Sequence, residues 1–258
     1  MQTDMTVGKP MKMLLNFTIP VFLGNVFQQL YSMADAVIVG KFVGTKGLAA
    51  VGATGTITFL IIGFLMGVTT GVTVLTSQKF GAGRMDEMRK TVGNAAILSA
   101  VIAVVMTAVS MLGMHRLLVF MHTPEDIFDG AYGYIMIICA GIFTQVLYNL
   151  VSSILRALGN SKTPLYFLIL AAGLNIVLDL VFIIFFHWGA PGAAWATVIS
   201  QGVSGVLCLI YMWKAVPELK MKKEDWYFNR DIAVKQISVG IPMGLQYSIT
   251  AIGGMMVQ

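Results

Sequence analysis

The chain has 258 residues, of which 57% are apolar and only 11% charged. Soluble domains carry roughly a quarter charged residues, so this composition excludes a soluble globule. The net charge of +5 would suit a nucleic-acid binder, but the placement of the basic residues removes that reading.

The charges fall between long apolar intervals. None occurs from Gly47 to Gln78, Thr91 to Met114, Gly130 to Leu155 or Gln236 to Gln258. Each interval exceeds the roughly 20 residues a helix needs to cross a bilayer. Lys12 to Lys41 and Lys162 to Lys214 each enclose a single charge, Asp35 and Asp179. The second interval breaks at residues 187–194, HWGAPGAA, where Gly and Pro mark a turn. The expected spans are 14–42, 48–77, 92–114, 131–155, 164–186, 193–213 and 236 onward. The period is helical throughout, unlike the short alternating strands of a membrane barrel. The fold class is therefore all-α: a polytopic bundle of six transmembrane helices plus part of a seventh. The first apolar stretch is far too long for a cleavable signal.

Cys139 and Cys208 lie inside spans and read as small packing residues. His115, His122 and His187 sit near span ends. No Cys or His spacing suggests a metal centre or a redox cofactor. No nucleophile–base pair or Gly-rich phosphate loop supports an enzyme.

Basic residues set orientation. With the N-terminus inside, fourteen of the seventeen fall on one side, and only Lys41, Lys46 and Arg116 fall on the other. The expectation is a multi-pass protein of a bacterial cytoplasmic membrane with a cytoplasmic N-terminus. The bilayer is the partner that topology implies, and nothing is left to recommend nucleic acid.

NFTIPVFLGNVFQQLYS at 16–32 and SVGIPMGLQYSITAIGG at 238–254 both begin an apolar helix with Ile-Pro. Both follow a cytoplasmic lysine, so a repeated unit would enter from the same side. This predicts two parallel repeats about an axis along the membrane normal. It divides the chain into a six-helix lobe at 1–213, a solvated cytoplasmic linker at 214–235, and the start of a second lobe at 236–258. On this reading the chain is the N-terminal portion of a longer protein.

Polar residues recur at helical spacing inside the spans. Span 1 carries Asn25, Gln28, Gln29, Ser32 and Asp35; span 4 carries Gln145, Asn149, Ser152 and Arg156; span 6 carries Thr197, Ser200, Gln201 and Ser204. Such faces must meet one another or water, which predicts a hydrated cavity. Hydroxyls and amides also join helices by hydrogen bonds, but a carboxylate costs too much for that purpose alone. Asp35 lies about 34 Å along its helix from Lys12, and Asp179 about 25 Å from Lys162, at 1.5 Å per residue. Both fall in the outer half of the membrane. With Asn175 one turn from Asp179, they form the expected coupling site, for a proton or for Na⁺ held by oxygen ligands. Arg156 reads as a flank residue snorkelling to the interface. Pro20 removes a helix hydrogen bond and is the expected hinge.

FTIPVFLGNVFQQLYSMADAVIVGKFVG, SQKFGAGRMDEMRK, SSILRALGNSKTPL, GLNIVLDLVFI and GAAWATVISQ stand in this order along the chain. Together they resemble the MATE family of multidrug and toxin extrusion transporters. An acidic residue in helix 1 with Asn-x-x-x-Asp in helix 5 is similar to its DinF-like branch, on Asp35, Asn175 and Asp179. The resemblance implies a twelve-helix protein of two lobes, acting as a monomer. It would export small organic, often cationic, compounds in exchange for H⁺ or Na⁺, with no cofactor besides that ion. The cavity lining it implies is Gln28, Tyr31, Ser32, Asn149, Ser152 and Gln201. Tyr148 and Ser152 stand where this branch can carry amides. A lipid-linked precursor flippase of the same superfamily is the alternative.

Overall fold

A computed structural model of the chain describes the backbone of residues 10–257 and the side chains of residues 11–249. Lys9, one of the orienting lysines, and Gln258 lie outside the described residues.

The described chain is a succession of helices, α1 (Pro10–Phe42), α2 (Thr45–Gly81), α3 (Met85–Phe120), α4 (Glu125–Ala140), α5 (Ile142–Ala157), α6 (Lys162–Asp179), α7 (Gly189–Ala215) and α8 (Arg230–Val257). Five of them, α1, α2, α3, α7 and α6 with its continuation, are long and apolar enough to cross a membrane. The pair α4 and α5 makes a sixth span, bent by 47°. The protein is thus a multi-pass helical bundle, with spans where the charge gaps put them.

Three details depart from the expected spans. The fourth is bent, and the bend falls at Gly141. A Cβ there would stand 2.2 Å from Val198 Cγ2, so only glycine lets the bent helix press against α7. The fifth does not stay α-helical. From Leu180 to Phe185 it widens into a π-helix, a rare form that is frequent at functional sites. The linker is shorter than 214–235, because α8 already begins at Arg230. Nor is it simply solvated. Val216, Leu219 and Asp225 are buried, and the connection folds back onto α3. Asn94 of α3 accepts from the Asn229 N–H at 2.9 Å and donates to the Tyr227 carbonyl at 3.4 Å. An exposed connection in water would leave those backbone groups to solvent; here two short 3₁₀ turns, Pro217–Leu219 and Lys223–Trp226, hold it in place.

Packing follows from apolar faces that meet. At the end rich in lysine and arginine, Val72, Met88, Val92, Ile154, Leu155 and Leu158 form one core. Towards the opposite end Ile61, Leu65, Leu118, Ile135 and Ile142 form a second. Val39, Tyr134, Ile138, Ile183, Ala193 and Ala194 form a third, between α1, α4, α7 and the π-helical continuation of α6. The small residues Ala193 and Ala194 are fully buried, which lets α7 approach its neighbours closely.

The most extensive helix contact is between α2 and α8. Gly67 and Gly71 of α2 meet Gly244 and Gly240 of α8 backbone to backbone. A Cβ on Gly71 would lie 2.4 Å from the Gly240 Cα. Just beyond, the buried Gln236 side chain donates to the Val72 carbonyl at 3.0 Å and to the Thr91 carbonyl at 2.8 Å. One amide therefore ties α8 to both α2 and α3.

Candidate functional site

α1 is unbroken across Pro20, which is buried within it. Proline there cannot donate to the Asn16 carbonyl one turn back. The polar residues of α1 do not share a face. At 100° per residue, Asn25, Gln29 and Ser32 form one stripe, and Gln28, Tyr31 and Asp35 the stripe beside it. The first is exposed; the second turns towards the bundle, with Asp35 only 8% exposed.

Asp35 meets Asp179, the last residue of α6 before the π-helix. Their carboxyl groups come within hydrogen-bonding reach of each other. Asp179 and Asn175 are fully buried. A carboxylate only accepts hydrogen bonds, so the contact can be a hydrogen bond only when the pair holds a proton. The surrounding oxygens reinforce this. Asp35 Oδ1, both Asp179 oxygens and Asn175 Oδ1 find no donor among the described residues. Buried acceptors without partners are costly, and here they cluster.

Thr197 of α7 holds the site's frame. Its Oγ1 accepts from the Tyr31 hydroxyl at 3.1 Å and from Asn175 Nδ2 at 3.4 Å. One threonine thus joins α1 to α6 and fixes the amide of Asn175 with its oxygen free. Tyr31 and Tyr134, on α1 and α4, both lie near the two carboxyl groups. Tyr134 was missed in the sequence. An isolated tyrosine carries no periodic signal, and α4 brings it close through folding.

The arrangement can accept one proton between two carboxyls. It also offers several hard oxygen donors of the kind that hold alkali and alkaline-earth cations. Cavities of about 570, 410, 220 and 50 Å³ lie elsewhere in the bundle, with linings that do not include Asp35, Asn175 or Asp179. Tyr31 and Tyr134 lie beside the pair itself.

The expected cavity lining divides accordingly. Gln28 and Asn149 line a cavity of about 50 Å³ with Pro20 and Arg156. Ser32 is exposed, whereas Ser152 and Gln201 are buried in helix packing. Tyr31 sits with the carboxyl pair. Asn149 Nδ2 is spent on the Gln145 carbonyl of its own helix, and the Tyr148 hydroxyl donates to the Pro164 carbonyl across to α6. Arg156 is half-buried rather than free at the interface. It also lines a larger cavity of about 570 Å³ at the basic end, together with Thr70, Thr73, Ser77 and Ser153.

Comparison with known proteins agrees with this architecture. The MatE family model matches residues 20–181. The probable multidrug resistance protein YpnP of Bacillus subtilis is 33% identical over 255 residues, covering 98% of this chain and 56% of that protein. A multidrug resistance MATE family transporter of the MOP superfamily, solved in an outward-facing conformation, superposes with a TM-score of 0.87 at 28% identity. A MOP superfamily transporter from Pyrococcus furiosus, described as having a binding pocket of reverse polarity, gives the same score and identity. Both solved structures are matched over 93% of this chain and 53% of theirs. The chain spans about half the length of the relatives it matches, and those relatives are transporters rather than enzymes. A helical bundle with a buried carboxyl pair, matched by the family over most of its spans, belongs to the MatE family.

Proposed function

We propose that the chain is the first lobe of a cation-coupled antiporter. It exports small organic, often cationic, compounds from the cytoplasm across a bacterial cytoplasmic membrane. The observation that carries this reading is the contact of Asp35 with Asp179, two buried carboxyls that need a proton or a cation between them. Asp35, Asp179 and Asn175 are the coupling residues, and H⁺ or Na⁺ is the exchanged ion. The basic end faces the cytoplasm, as the distribution of Lys and Arg supports. The full-length protein works as a monomer, its substrate path lying against the exposed polar stripe of α1.

Coupling then follows from protonation. With the pair charged, the two buried carboxylates repel each other and face further unpaired acceptors, and helix separation is favoured. With a proton shared, α1 can close on α6, and Pro20 is where α1 can bend. The direct test is efflux of a fluorescent organic cation by the full-length protein in liposomes, with the Na⁺ and pH gradients varied independently. Efflux driven by one gradient supports the reading; efflux indifferent to both overturns it.

One observation favours a second reading, flipping of a lipid-linked precursor. Arg156 and the hydroxyls of the cavity of about 570 Å³ suit a phosphate group. A diphosphate would call for more than the single arginine there, so the antiporter is preferred.

A further inference from the structure

The pinned connection between α7 and α8 roofs a groove that the carboxyl site does not use. Its walls are Val92, Ala96 and Ser99 of α3, Leu147, Leu150 and Ile154 of α5, and Leu209, Met212 and Trp213 of α7. Leu219, Met221 and Trp226 of the connection close its end. The enclosed volume is about 410 Å³, within the range of small-molecule sites.

Three observations say what fits. The groove is apolar but for one orphan. Several buried hydroxyls here bond back to their own helix, as Thr69 does to the Leu65 carbonyl at 2.8 Å. Ser99 Oγ is buried, lines the groove and has no partner among the described residues. An apolar occupant bearing a hydrogen-bond acceptor would satisfy it.

The rim is aromatic. Trp213 and Trp226 are 72% and 52% exposed, and Tyr227 and Phe228 continue the exposed run. Trp and Tyr concentrate where a membrane meets water.

The charge beside that rim is basic. Lys214, Lys220, Lys222 and Lys223 are all exposed. Of the acids in the connection, Asp225 is buried, pairs with Arg89 at 3.6 Å and accepts from the Lys222 N–H at 2.8 Å, and Glu218 and Glu224 leave the four lysines in excess.

We propose that this groove is a binding site for one anionic phospholipid. An acyl chain lies between α3, α5 and α7, an ester oxygen accepts from Ser99, and the phosphate lies at Lys220, Lys222 and Lys223. The occupied site stiffens the connection from which α8 departs. A zwitterionic lipid would fill the same groove without the attraction of the lysines, so charge complementarity selects the anionic one.

The test uses the full chain with Trp188 and Trp195 replaced by Phe, which leaves only the two groove tryptophans. In phosphatidylcholine nanodiscs, brominated phosphatidylglycerol should quench their fluorescence saturably and at lower mole fraction than brominated phosphatidylcholine. Unlabelled phosphatidylglycerol should reverse the quenching. Replacing Lys220, Lys222 and Lys223 with Gln should weaken the preference about fivefold per lysine. Ala96→Phe should abolish saturation with the lysines intact; if that variant fails to fold, Ser99→Leu serves in its place. Equal, unsaturable quenching by both lipids, unchanged in the lysine and groove variants, would mean ordinary boundary lipid and overturn the proposal.

Discussion

Asp35 of α1 and Asp179 of α6 hold their carboxyl groups against each other, with Asn175 Oδ1 one turn away and unpaired. Two acceptors in contact with no donor between them are unstable unless a proton or a cation joins them. Asp179→Asn supplies a donor without changing shape. It should raise the melting temperature of the purified chain, by a gain of about 1 kcal/mol. The same substitution, and Asp35→Asn, should abolish ion-driven efflux in the full-length protein. A melt that falls, together with efflux at the wild-type level, would separate the pair from coupling.

Thr197 is the joint on which Tyr31 and Asn175 converge. Thr197→Val keeps the volume and removes the hydroxyl, leaving the buried tyrosine hydroxyl and the amide donor without that partner. The loss should be about 1–3 kcal/mol, read as a lower melting temperature. Thr197→Ser, which keeps the oxygen, should recover most of it.

Gly71 faces Gly240 at backbone distance, so α2 and α8 have no room for a side chain. Gly71→Val should force the helices apart at a cost of about 1–3 kcal/mol or more. Gly52→Val is the control, because a Cβ there meets nothing within 4 Å. If the two variants melt alike, the close contact contributes nothing.

Asn94 secures the connection through Asn229 and Tyr227. Asn94→Ala leaves a backbone donor and a backbone acceptor unpaired, about 1–3 kcal/mol in all. Trypsin should then cut faster after Lys222 and Lys223, which are already exposed. Unchanged cleavage would show that the two 3₁₀ turns hold the segment without α3.

How much of this was legible beforehand depends on the range of the physics involved. The spans followed from charge alone, because a bilayer punishes any charge inside it and leaves gaps that can be counted. The same penalty singled out Asp35 and Asp179 among the polar residues of the spans. Their matching depth followed from the helical rise. These are properties of single residues and single helices, so the chain by itself determined them.

What only the tertiary structure decided involves pairs. The polar stripe of α1 divides because α6 and α7 cover just one side of it, and no helical wheel says which side will be covered. Tyr134 enters the site because α4 crosses there, though it belongs to no polar pattern, and Thr197 of the span-6 stripe is placed on Tyr31 and Asn175 only by the crossing of α7. The bend at Gly141 lets the helix press against Val198 of α7, and the π-helical turn after Asp179 is likewise invisible in the pattern of its own residues. The connection after α7 looked like a solvated linker because its lysines are real and exposed. Its other groups, Asp225, Leu219 and the backbone at Asn229, find partners on α3, more than a hundred residues earlier in the chain. Charge and hydropathy act locally and can be read along a sequence; contact between distant residues is settled only when the chain has folded.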